Sequence, residues 1–238
     1  HRRGHETRPE GRRRAPAEAA RGVSRPLAVV YAGPASLPGC PEAAAGALAS
    51  SSFAFEIEFA GRRDLARLLA ARPALYCQPG GGELRPAWRR LRRDAEALRA
   101  YVRSGGRYLG FCLGGYLAGN DPGFGLLAGP VDSYLAAPGA EVAGPQSTIV
   151  EVDWAGTPRR LYFQDGCFFT PGPGTEVVAR YRTGLAAAAV AAFGAGRVAV
   201  SGPHPEATDD WFRDEDLPPL ARPTLDLAHD LIDRVMEP

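Results

Sequence analysis

The sequence predicts an α/β fold: a mostly parallel, doubly wound sheet with helices on both faces and an antiparallel hairpin insertion. Three observations lead there. Short apolar runs alternate with helical patterns from residue 27 onward, glycine-rich turns follow several of those runs, and residues 141–182 change to the rhythm of hairpins. At 238 residues and 45% apolar side chains the chain can bury one sizeable core, and it shows neither an internal repeat nor a second domain.

Each element has its own local reason. Residues 27–31 form an apolar run closed by Gly33 and Pro34, the pattern of a buried first strand. A helical pattern follows over 41–50. Residues 53–59 alternate as a strand does, 64–71 read as a helix, and a further strand over 74–78 ends in Pro79-Gly80-Gly81-Gly82. Trp88, Leu91, Ala95, Leu98 and Val102 then recur at three- and four-residue steps opposite an arginine-rich face. That spacing predicts one amphipathic helix, stopped by Gly105 and Gly106. Residues 149–152 and 160–163 flank a turn and, with 177–181, predict antiparallel hairpins. A strand over 198–200 delivers His204, and residues 224–236 predict a closing amphipathic helix.

Ahead of this domain, placed at 26–238, residues 1–25 carry eight arginines against three acids and almost no bulky apolar side chain. Such a segment cannot offset the entropy lost on ordering, so a mobile tail is expected. The net charge is only +1 and argues against a global electrostatic role, so nucleic acid is not an expected partner. Every strongly basic side chain is arginine; with no lysine, Schiff-base chemistry and a lysine general base are excluded. The arginine, alanine, glycine and proline bias reads as a coding preference. The longest apolar run, residues 185–193, is too short to cross a bilayer, and the basic start lacks the apolar stretch of a secretory signal. Cys40, Cys77, Cys112 and Cys167 lie far apart without a C-x-x-C pair, which suits reduced thiols in a cytoplasmic protein.

The chemistry is concentrated in two short segments. Gly110-Phe111-Cys112-Leu113-Gly114-Gly115 follows a strand-like stretch and precedes a run of small residues. Glycines two positions either side of Cys112 permit the sharp strand-to-helix turn of a nucleophile elbow, with the sulfur at a helix N-terminus that favours thiolate. About ninety residues later, His204-Pro205-Glu206 offers an imidazole and a carboxylate two positions apart. Cys112 as nucleophile, His204 as general base and Glu206 as the orienting acid make an acyl-transfer catalyst. The backbone N–H of Leu113, with that of Gly81 or else Gly80, would form an oxyanion hole. Cys40, Cys77 and Cys167 lack such a frame and are assigned to packing. A zinc site built from Cys112, His204 and Glu206 is disfavoured, because no short Cys/His ligand pair accompanies them; no metal and no cofactor is expected.

These same residues resemble the two signatures of class I glutamine amidotransferases. More narrowly, Gln78-Pro79-Gly80-Gly81-Gly82, the segment 106–112 and Asp165-Gly166-Cys167-Phe168-Phe169 are similar to the amidotransferase-like domain found N-terminal in some biotin–protein ligases, which also occurs free-standing in bacteria. The resemblance spans roughly residues 26–235. It implies a flavodoxin-like sheet, a Cys112–His204–Glu206 triad, and a small-molecule amide or acyl substrate, with room for a synthase or other protein partner. Glutamine-using members generally carry glutamine four positions beyond the nucleophile, where this chain has Tyr116. Tyr116, with Gly80, is therefore placed at the substrate pocket, and glutamine itself is not the expected substrate. Two alternatives stand beside the enzyme: a catalytically silent binding or regulatory module, and a DJ-1/PfpI-type redox or repair protein. The latter usually draws its acid from another strand, so His204-Pro205-Glu206 favours the amidotransferase side.

Overall fold

A strand that is apolar on both faces can only sit inside a sheet covered on both sides. In the computed structural model, which describes residues 24–238, the first strand shows this: β1 (Leu27–Tyr31) is buried over its last four residues. Ala28 and Val30 join one core, Val29 and Tyr31 the other. β1 pairs in parallel with β2 (Glu56–Ala60) and β3 (Leu75–Gln78), β3 with β4 (Arg107–Phe111), and β4 with β11 (Gly196–Ser201). This parallel centre runs in the order β2-β1-β3-β4-β11.

Beyond β11 every pairing is antiparallel. The sheet continues through β10 (Ala186–Phe193), β9 (Thr175–Tyr181), β6 (Thr148–Trp154) and β7 (Thr157–Phe163), while β5 (Val131–Ser133) and β8 (Cys167–Phe169) pair with each other and join at β10. Strand β10 belongs to an alanine-rich stretch with no local strand signal, and its first six residues are buried.

Helices cover the two faces. α1 (Cys40–Ala49) and α7 (Leu225–Met236) contribute Ala44, Leu48, Leu227 and Leu231 to the first core. α2 (Leu65–Ala70), α3 (Leu84–Leu91), α4 (Ala95–Arg103) and α5 (Leu113–Ala118) contribute Leu65, Leu91, Leu98 and Leu117 to the second. Each fully buried leucine of this kind stabilises the fold by roughly 1.5–3 kcal/mol before entropy is counted. The result is a mixed α/β fold with a mostly parallel central sheet.

Two elements differ from the sequence expectation. The single helix expected through residues 88–102 is broken by a 3₁₀ turn over Arg92–Asp94. Asp94, buried and holding Arg93 at 3.3 Å, marks the break. On one side of it α3 packs against α5; on the other α4 packs against α2, so the two halves serve different neighbours. The strand expected from residue 53 begins only at Glu56, because Ala54 turns the chain with a φ of 46° and Phe53 and Phe55 pack as a ring pair. The Arg-rich segment expected as a tail lies, over residues 1–23, outside the described residues. Among the described residues no helix is long and apolar enough to cross a membrane.

Candidate active site

The edge-to-edge pairing of β4 with β11 brings the two sequence signatures together. Phe111 lies opposite Ser201, and the Cys112 N–H donates to the Ser201 carbonyl at 2.8 Å. The chain then turns at Cys112 with φ 49° and ψ −102° and enters α5. A positive φ at a non-glycine residue is strained and persists only where neighbours enforce it. Gly114 is one of those neighbours: a Cβ there would lie 2.0 Å from the Gln78 carbonyl oxygen, so only glycine lets α5 sit down on the end of β3. The Tyr108 hydroxyl, deep in the core, donates to the Gly114 carbonyl at 2.7 Å and fixes the same turn from below.

His204 arrives on the segment leaving β11. Its N–H donates to the Tyr162 carbonyl at 2.9 Å, and the ring meets Tyr162 and Trp211 edge-on. Glu206, 3% exposed, places Oε1 2.8 Å from His204 Nδ1. The other ring nitrogen, Nε2, is not engaged by Glu206, and the imidazole lines the same cavity as the Cys112 sulfur, near enough for each to influence the other's charge. The thiol also faces the Gln164 carbonyl, to which it donates at 3.6 Å. Burial of the imidazole disfavours its charge, but the Glu206 carboxylate and Cys112 outweigh burial and hold its pKa well above the ordinary value.

The glycine loop after β3 completes this arrangement. Gly81 packs on Leu113, where a Cβ would come within 2.4 Å of the leucine side chain, so the two expected oxyanion-hole residues adjoin each other. Gly80 lies behind the imidazole instead: a Cβ on it would sit 2.8 Å from His204 Cε1 and 3.2 Å from Cys40 Sγ. A cavity of about 420 Å³ opens in front of the sulfur, lined by Gly81, Cys112, Leu113, Tyr116 and His204. Gly80 does not line it. The Tyr116 hydroxyl donates to the Asp165 carbonyl at 3.2 Å, and Asp165 turns the loop between β7 and β8 with a φ of 45°.

Several lining residues carry no sequence signal for a site. Gln164 and Asp165 come from the β7–β8 loop, and Trp211 comes from α6 (Asp209–Asp214). Cys40, assigned to packing, also reaches the cavity, though burial and the nearby Glu206 and Cys112 charges push its pKa up to about 12. Burial raises Cys77 and Cys167 well above the ordinary thiol value, which leaves them protonated at neutral pH. Among the described residues no cluster of three or more His, Cys, Asp or Glu side chains could hold a metal ion.

Residues 68–127, which include the glycine loop and the elbow, match the family model described as biotin–protein ligase, N terminal. Solved structures with similar folds include a glutamine amidotransferase, 22% identical, at a TM-score of 0.57 over 85% of this chain and 98% of that one. A glutamine amidotransferase from Thermotoga maritima is 11% identical, with a TM-score of 0.57 over 90% of this chain and all of its own. A putative GMP synthase protein from Thermoplasma acidophilum is 10% identical, with a TM-score of 0.55 and the same coverage. No curated protein matches the sequence. The chain shares the fold of these amidotransferases, and its residues 68–127 are similar to the biotin–protein ligase N-terminal domain.

Proposed function

We propose that this protein is a cysteine-dependent hydrolase or amidotransferase-like enzyme acting on a small amide or related acyl compound. The observation that carries the reading is the 2.8 Å contact between Glu206 and His204 Nδ1, with His204 lining the same open cavity as the elbow cysteine. In this reading Cys112 and His204 rest as a thiolate–imidazolium pair, the thiol proton already on Nε2, and the sulfur bonds to the substrate carbonyl carbon. The displaced electron pair moves onto oxygen, where the N–H groups of Leu113 and Gly81 stabilise it. His204 then protonates the leaving amine as the C–N bond breaks, and water activated by the same imidazole releases the acid. Glu206 keeps Nδ1 protonated and the ring in place throughout. We read the sheet in the finer sense too, as a flavodoxin-like doubly wound layer whose antiparallel side is an insertion.

Glutamine is disfavoured as the substrate. Tyr116 occupies the cavity wall and commits its hydroxyl to Asp165, so it offers no amide to a free amino acid. A synthase or other protein partner, which would receive released ammonia, is compatible with the fold. Iodoacetamide at neutral pH is expected to modify Cys112 well before Cys40, Cys77 or Cys167, whose raised pKa values keep them as thiols. An electrophilic amide analogue should label the native protein and not the Cys112→Ala variant, and glutamine should yield little ammonia. Uniform labelling of all four cysteines would return the chain to a silent binding module. Glutamine turnover at an ordinary enzymatic rate, lost in Cys112→Ala, would restore the plain glutaminase.

A further inference from the structure

The lining of the cavity holds information about charge that the triad does not use. Two acidic residues from separate loops line the cavity, Glu83 at the start of α3 and Asp165 between β7 and β8, whose Oδ1 accepts from the Ser133 hydroxyl at 3.4 Å. Neither forms an ion pair among the described residues. No arginine of the described residues lines this cavity, and its one side chain able to carry positive charge, His204, is already held by Glu206. Two aromatic residues, Tyr116 and Trp211, share the wall, and the Gln164 carbonyl stands beside the sulfur as a further acceptor. A second cavity of about 570 Å³ shares Glu83, Leu84 and Tyr116 with the first, and adds Asp121 and Asp132 against Arg85 alone.

A substrate carboxylate entering such a cleft would meet like charge and carbonyl oxygens with no arginine of the described residues to receive it, whereas an ammonium would find carboxylates, carbonyls and aromatic rings. We infer that the substrate is a cationic amide or acyl compound, one bearing an amine or guanidine and lacking a free carboxylate, and that Glu83 and Asp165 select it. This assignment rests on the reading of Cys112 as the nucleophile. It reverses the charge demand of a glutamine site, which must satisfy an α-carboxylate as well as an α-amine.

Methanethiosulfonates test it without knowledge of the substrate. The Cys112 thiolate attacks the sulfenyl sulfur, a mixed disulfide forms and methanesulfinate leaves, whatever the charge on the transferred group. Rates at Cys112, followed by peptide mass spectrometry, are compared for the aminoethyl, methyl and sulfonatoethyl reagents and normalised to N-acetylcysteine. The aminoethyl reagent is expected to exceed the sulfonatoethyl one by about 10-fold or more at low salt, a ratio that shrinks as salt is added. In Glu83→Gln/Asp165→Asn the ratio should fall several-fold; asparagine tolerates the positive φ of position 165. Equal rates, or a preference for the anion, would overturn the inference while leaving the nucleophile intact. A cationic preference that survives the double substitution would remove the assignment to these two carboxylates. Inertness of Cys112 toward even the neutral methyl reagent in the folded protein would instead remove the proposed function, and this inference with it.

Discussion

Gly80 shows how closely the imidazole is confined. With Cys40 on one side and the ring on the other, the position has no room for a single carbon, and the ring is the part that can yield. Gly80→Ala is expected to leave the protein folded but push His204 away from the sulfur. An ångström-scale misplacement of this kind costs up to about 100-fold in rate, so alkylation of Cys112 should slow by about 10-fold or more. An unchanged alkylation rate in a folded variant would mean that His204 does not activate the thiol. At this scale the sequence is most readable where backbone geometry restricts residue choice. The glycines framing Cys112 and the prolines beside His204 are signals because few other residues could stand there. Gln164 and Trp211 are ordinary residues brought to the cavity by loop packing, and no local pattern marks them; Asp165 stands in a motif shared with the resembled family, but nothing in that motif assigns it to the cavity.

Among the elements, the segment bearing His204 and Glu206 is held less by itself than by what lies beyond it. Arg159 on β7, 6% exposed, grips Asp226 in the first turn of α7 with two hydrogen bonds of 2.7 and 2.8 Å and donates to the Pro223 carbonyl at 2.7 Å. Thr224, one residue on, donates to the Pro205 carbonyl at 2.9 Å, between His204 and Glu206. The clamp therefore joins the antiparallel end of the sheet to the histidine loop. Arg159 lowers the Asp226 pKa by hydrogen bonding, against a smaller opposing effect of burial. Asp226→Ala leaves a buried guanidinium with only one of its partners, and a loss of about 2 kcal/mol in urea unfolding is expected, discounted for the half-exposed carboxylate. A loss under about 0.5 kcal/mol would show that water replaces the carboxylate without penalty. Helix periodicity announced α7 correctly but missed the break between α3 and α4: hydrophobic spacing records which face is buried, not which neighbours the two halves meet.

For the whole molecule, the buried His204–Glu206 pair couples stability to pH. His204 has a folded pKa raised above the ordinary value of 6.5. Its contribution to stability is therefore fully present below that value and is lost as pH rises through the folded pKa. One such proton sets a limiting slope of about 1.4 kcal/mol per pH unit. Between pH 6.5 and 9 the native protein should lose more stability than Glu206→Gln, in which the main source of the upward shift is gone. Parallel stability curves for the two proteins would contradict a charged imidazole held by Glu206. At this scale the alternation of apolar runs and glycine turns was enough to announce a mixed α/β fold with a parallel centre. The strand order was not legible, because pairing between β4 and β11 is decided by surfaces far apart in sequence.

That pairing also decides when Cys112 and His204 first come together. Strand β11 is inserted between β4 and β10, so the sheet stays split until residues 196–201 have entered it. Closing the intervening stretch costs loop entropy that only the finished sheet offsets. During synthesis Cys112 leaves the ribosome long before His204 does, and a chain stopped short of β11 would carry the thiol without the imidazole. The juxtaposition of thiol and imidazole therefore exists only once β11 has taken its place between its two neighbours.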